Sequence, residues 1–131
     1  MSSFLKIPPV TWVGGKYPWR LDGDLVFKSD KLGLIIVPRG YLTDFASVPR
    51  LPIVRWAAGG RASMPAIVHD YLYDCCTKHI TRSEADAAFL DAMTAINDPS
   101  WAVTRRIMWL GVRAGGWSAW RKDSTEKCAG C

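Results

Sequence analysis

Short apolar runs broken by turn-forming residues fill the first third of the chain. Pro8, Pro9, Gly14, Gly15 and Pro18 exclude a helix there. Leu25-Val26-Phe27 and Gly33-Leu34-Ile35-Ile36-Val37 are runs of β-branched, aliphatic and aromatic residues, the second stopped by Pro38-Arg39-Gly40. Asp22-Gly23-Asp24 has the punctuation of a tight turn. Residues 1–45 therefore predict a small antiparallel meander of three or four strands.

Beyond Asp44 the period changes. Pro49 and Pro52 leave room for only a short helical turn near Ile53 to Ala58, which Gly59-Gly60 ends. Met64, Ile67, Val68, Tyr71 and Leu72 then recur at helical spacing as an inward face, with Ser63 available as the cap. Thr81-Arg82-Ser83-Glu84 has the spacing of a capping box, and Ala85, Ala88, Phe89, Ala92, Met93 and Ile96 form the stripe of the helix it starts. Asn97-Asp98-Pro99 closes that helix. A last helix is expected from about Ser100 to Trp120, with Val103, Ile107, Leu110, Ala114 and Trp117 on one side and Arg105, Arg106, Arg113 and Arg121 largely elsewhere. Gly111, Gly115 and Gly116 weaken it by about 1 kcal/mol each relative to Ala, and close packing against another helix would account for them. The expected fold is a single α+β domain over residues 1–131: a small antiparallel N-terminal sheet packed against about three helices, with a flexible tail over 121–131.

Composition agrees with one packed core. The chain has 131 residues, 49% of them apolar and 22% charged, which is one domain's worth and excludes a largely disordered chain. No apolar run approaches the roughly 18 residues needed to cross a bilayer. The first residues show no basic segment followed by a long apolar one, so the expected location is a cytoplasm. The net charge of +5 lies mostly in residues 100–131, which carry 6 Lys/Arg against 2 Asp/Glu. Such a segment suits a solvated helix face, an acidic protein partner or an anionic surface. Nucleic acid is not the expected partner, because no binding motif accompanies the charge.

Three segments place acids beside apolar residues: Leu42 to Arg50, Val68 to Tyr73, and Glu84-Ala85-Asp86. His69 lies at the border of a buried stripe, Asp70 stands about 100° further round the helix, and Tyr73 follows His69 by one turn. Asp86 sits at the edge of its own stripe, and Asp44 at a strand end, where rigid scaffolds commonly hold reactive groups. A neutral imidazole with two carboxylates is a ligand set for zinc or another divalent ion, so Asp44, His69 and Asp86 are the candidate metal ligands. His69, Asp70 and Tyr73 are the candidate acid, base and orienting groups. Metal-activated water could then attack an amide or a phosphodiester. Ser47 shows no sign of a nucleophile elbow. The same residues also make a satisfied buried network that pins a strand end to two helices without turnover.

The pattern TDFASVPR (Thr43 to Arg50), HDYLY (His69 to Tyr73) and a SEAD helix start followed by FLDAM and a basic, aromatic helix resembles the phage and prophage family catalogued as domain of unknown function 1353. The resemblance covers about residues 20–120. It implies a viral or prophage context, in the host cytoplasm or the virion, and no reaction. Two expectations follow. One is a small metal-dependent hydrolase acting on cell wall or phosphodiesters. The other is a non-catalytic virion or tail component whose polar cluster is architectural and whose Trp/Arg helix contacts other phage structural proteins.

Two further signals have competing uses. Cys128 and Cys131 have the gap favoured by zinc, with Cys75, Cys76 and His79 as possible further ligands; otherwise the cysteines are expected as free thiols. Trp101, Trp109, Trp117 and Trp120 stand among the arginines of the last helix, which suits an interface, a membrane-surface helix, or a core filled by Trp109 and Trp117.

Overall fold

The computed structural model describes residues 2–43, 63–76, 79–96 and 102–120. The strands are β1 (Ser3–Lys6), β2 (Val10–Trp12), β3 (Trp19–Leu21), β4 (Leu25–Ser29), β5 (Gly33–Val37) and β6 (Leu42–Thr43). The helices are α1 (Ser63–Cys75), α2 (Arg82–Ala95), α3 (Ala102–Gly115) and the single turn α4 (Trp117–Trp120). The fold is α+β.

The two apolar runs pair as the β4–β5 hairpin, with Phe27 opposite Ile35 and Leu25 opposite Val37. Alternation sends Leu25, Phe27, Ile35 and Val37 into the core and leaves Leu34 and Ile36 outside. Ser29 Oγ accepts from the backbone N–H groups of Lys31 and Leu32, and Gly33 closes the turn with φ +76°, a conformation that suits glycine. The meander is not one sheet but two antiparallel sheets of three strands, ordered β1-β4-β5 and β2-β3-β6. Asp22-Gly23 accordingly switches the chain between sheets instead of closing a hairpin. The Asp22 carboxylate accepts from Thr11 and Arg20 across the β2–β3 pair, which fastens that corner.

Helix α1 departs from a one-faced reading: every residue from Pro65 to Tyr73 is buried. It lies against β5, α2 and α4, so it has no solvent side and its polar groups must find partners inside. Pro65 fits because the first turn of a helix needs no amide donor there. Helix α2 starts as its sequence predicts: Thr81 Oγ1 accepts from Glu84 N at 3.1 Å, and Thr81 N donates to Glu84 Oε1 at 2.9 Å. Its stripe packs on α1, on β1 and β4, and on α3. The main core joins Leu21, Leu25, Phe27, Val37, Ile67 and Val68, and a second cluster of Phe89, Met93 and Met108 binds α2 to α3.

The C-terminal helix differs from expectation in two ways. It is not continuous to Trp120, because Gly116 separates α3 from α4. The Gly116 Cα stands where a Cβ would fall 2.6 Å from the Tyr73 hydroxyl, so that close approach requires glycine. In addition, the side formed by Val103, Ile107, Leu110, Ala114 and Trp117 faces outward, and Met108 is the buried residue of α3. Trp109 is half-buried at the α2 contact, whereas Trp117 is exposed and does not fill the core. Asp44, Ser47, Ile53 to Ala58, Asn97 to Pro99, Trp101 and Arg121 lie outside the described residues, as do Cys128 and Cys131.

Candidate functional site

The site is built around Asp86, one turn into α2. The capping box fixes where that helix begins, and the alanine pair Ala85 and Ala88 lets α2 lie close to α1. Asp86 is thereby pressed against α1 with 0% of its surface exposed. Burial of a carboxylate is tolerated only when it is paired and hydrogen-bonded.

His69 and Tyr73, one turn apart on α1, both reach Asp86 Oδ1. His69 Nε2 lies 2.8 Å from it, and the Tyr73 hydroxyl donates to the same oxygen. An ionised carboxylate can only accept, so Nε2 carries the proton. Oδ2 faces α3: Arg113 Nη1 donates to it at 2.8 Å, and Arg82 Nη1 stands 3.7 Å away. The His69 ring is held between Tyr73 and Phe89, at centroid distances of 4.2 and 4.7 Å, and Trp120 of α4 packs edge-on to Tyr73. Arg82 also donates to the Val112 and Arg113 carbonyls at 3.1 to 3.2 Å, so a side chain from the first turn of α2 binds the carbonyl end of α3, where Val112 O also accepts from Gly116 N at 2.8 Å.

Burial alone pushes the Asp86 carboxyl up, but the hydrogen bonds from His69, Tyr73 and Arg113 outweigh it and hold the group below its ordinary value. Burial drives the Tyr73 phenol the other way, and the Asp86 carboxylate that it serves adds to that rise. Both directions favour one arrangement, an ionised acid surrounded by donors.

Asp70 does not join this cluster. It is buried on another side of α1 and accepts from Thr43 Oγ1 at 2.8 Å, tying the end of β6 to the helix. One turn later Asp74 accepts from the Tyr41 hydroxyl at 2.9 Å. The sequence-predicted residues thus separate: His69, Tyr73 and Asp86 meet, Asp70 serves the sheet, and Asp44 lies outside the described residues. Among the described residues no three His, Cys, Asp or Glu side chains converge as a metal-holding group. Arg82 and Arg113 escaped the sequence reading. Arg82 was legible only as the residue after a cap, and Arg113 only as part of a helix's basic side.

The cysteines require a correction. Cys75 and Cys76 are both disulfide-bonded, so neither is a free thiol or a thiolate ligand for zinc. Compartment sets how readily disulfides persist, but the fold decides which sulfurs meet.

No helix of the described residues is long and apolar enough to cross a membrane. Neither the curated proteins nor the solved structures contain a match to this chain. A family model does match, over residues 19–112, which run from the start of β3 to the last turn of α3 and include His69, Tyr73, Arg82 and Asp86, with Arg113 one residue beyond. The chain belongs to the family described as protein of unknown function, DUF1353.

Proposed function

We propose that the protein is a non-catalytic component of a larger assembly, such as a virion or phage tail, in which the Asp86 cluster is architectural. The observation that carries this reading is the state of Asp86: no part of it is exposed, and each of its oxygens is engaged by donors from neighbouring helices. A hydrolase working through His69 and Asp86 needs those atoms to reach a metal or a substrate. Here they face each other, inside three packed helices. An ionised acid locked among donors is what a structural pin requires, since it aligns α1, α2 and α3 through directional bonds that apolar packing lacks.

The test pairs a stability measurement with a metal titration. His69→Ala is expected to cost about 2–4 kcal/mol, from a lost bond to a buried charge plus the cavity left between Tyr73 and Phe89. Zinc or manganese should leave the melting temperature of the wild type where it was. Wild-type protein that binds either metal at a defined stoichiometry, and a His69→Ala variant that loses the metal while keeping its melting temperature, would overturn the proposal.

A further inference from the structure

Cys75 ends α1, Cys76 follows it, and both are disulfide-bonded. A bond between these two neighbours does not fit their backbone. Cys76 N donates to Leu72 O at 3.2 Å, so the chain is still helical where they stand, and helical neighbours point their side chains about 100° apart. Their Cα atoms, joined by one peptide, are about 3.8 Å apart, short of the roughly 4.4–6.8 Å that a disulfide spans. The chain has four cysteines. That leaves Cys128 and Cys131, which lie outside the described residues, one for each sulfur of the pair.

We infer that the four cysteines form a double clasp, two disulfides from the end of α1 to Cys128 and Cys131, that closes in an oxidising medium and opens in a reducing one. What the clasp holds follows from its neighbours. Tyr73, two residues before Cys75, donates to Asp86 and carries Trp120 of α4 edge-on at 5.1 Å. Only residues 121–127 separate Trp120 from Cys128. The closed clasp therefore keeps α4 seated on Tyr73, and the thiol form leaves α4 to its packing alone. Disulfides persist outside a reducing cytosol, so the clasped form belongs to a chain that has left one. A hydrolase and a structural pin would be clasped alike, so the inference stands apart from the proposed function.

Each bond forms when two thiols lose two protons and two electrons to a small-molecule disulfide such as oxidised glutathione, which leaves as two thiols. The full clasp consumes two such molecules. A dithiol reverses each step and is itself oxidised to a cyclic disulfide. The two bonds differ in access: Cys76 is 0% exposed within the core, whereas Cys75 is half-buried. Exchange requires the attacking thiolate to reach a sulfur. The Cys75 bond therefore opens first, and the chain stays tethered through Cys76 until reduction is stronger.

The full chain, treated with oxidised glutathione, is alkylated without reduction and digested with trypsin, which cuts after Arg61, Lys78 and Lys127. The peptide holding Cys75 and Cys76 should run as one mass with the peptide that begins at Cys128, and dithiothreitol should split them. In a graded dithiothreitol series, iodoacetamide should label Cys75 before Cys76. Full reduction should lower the melting temperature by about 10–15 °C, because the clasp closes loops of about 50 residues. It should also speed amide exchange at Trp120, whose N–H donates to Gly116 O at 3.0 Å. The double variant Cys128→Ser/Cys131→Ser should melt with the reduced wild type and ignore dithiothreitol.

Separate masses for the two peptides, each short of two hydrogens, would show bonded neighbours and overturn the inference. So would a covalent dimer that reduction dissolves, four alkylated thiols after oxidation, or one zinc per chain that Cys128→Ser/Cys131→Ser loses. A double variant that melts with the oxidised wild type would overturn the hold on α4.

Discussion

Replacing Asp86 by alanine removes the acceptor on which three donors converge, from His69, Tyr73 and Arg113. A hydrogen bond to a charged group contributes about 1.5–3 kcal/mol, and the three share one carboxylate, so their contributions do not add. Breaking a buried pair from one side costs about 3–5 kcal/mol. Arg113 has 34% of its side chain exposed and can recover some hydration, which argues for the lower half of that range. With an unfolding entropy of about 2.1 cal/mol/K per residue, a chain of 131 residues should lose about 11–18 °C in melting temperature across the full range. Asp86→Asn keeps an oxygen for His69 and Tyr73 but turns a donor toward Arg113, and should lose about half as much. Urea unfolding followed by circular dichroism, with Tyr73–Trp120 packing reported by fluorescence, measures both. A loss below about 1 kcal/mol for Asp86→Ala would refute the claim that this carboxylate holds the helices together.

The same group makes stability depend on acid. Its carboxyl titrates below the ordinary value when folded, so its contribution is present above about pH 4 and is lost as pH falls through the folded value; Asp86→Asn should show a shallower acid loss than the wild type in pH-dependent unfolding. Gly116→Ala forces a Cβ within 2.6 Å of the Tyr73 hydroxyl and should cost about 1–3 kcal/mol. Gly111→Ala and Gly115→Ala meet open space and should each gain about 0.5–1 kcal/mol by thermal melting. Thr81→Ala removes the acceptor of the α2 capping box and should cost about 1 kcal/mol in urea.

Local signals carried the parts of the fold that local chemistry decides. The β4–β5 hairpin followed from two apolar runs, the start of α2 from Thr81 and Glu84, and the pairing of His69 with Tyr73 on one helix from their spacing. The division into two sheets was hidden because β2, β3 and β6 have only three, three and two residues, too few to show a period. The burial of α1 on all sides depends on what surrounds it, as does the choice of Asp70 for Thr43 over the Asp86 cluster. The outward turn of the α3 stripe was illegible for a related reason: periodicity separates two faces of a helix but does not say which of them the rest of the chain will cover. Arg82 and Arg113 remained invisible because their partners lie 27 to 31 residues away in the chain.

The guanidinium of Arg82 grips carbonyls at the far end of α3 while its own backbone begins α2. Fraying at either terminus therefore breaks the same bonds, and the two ends open as one cooperative unit instead of separately. Amide exchange should report this as matched protection for the first turn of α2 and the last turn of α3, lost together in Arg82→Ala.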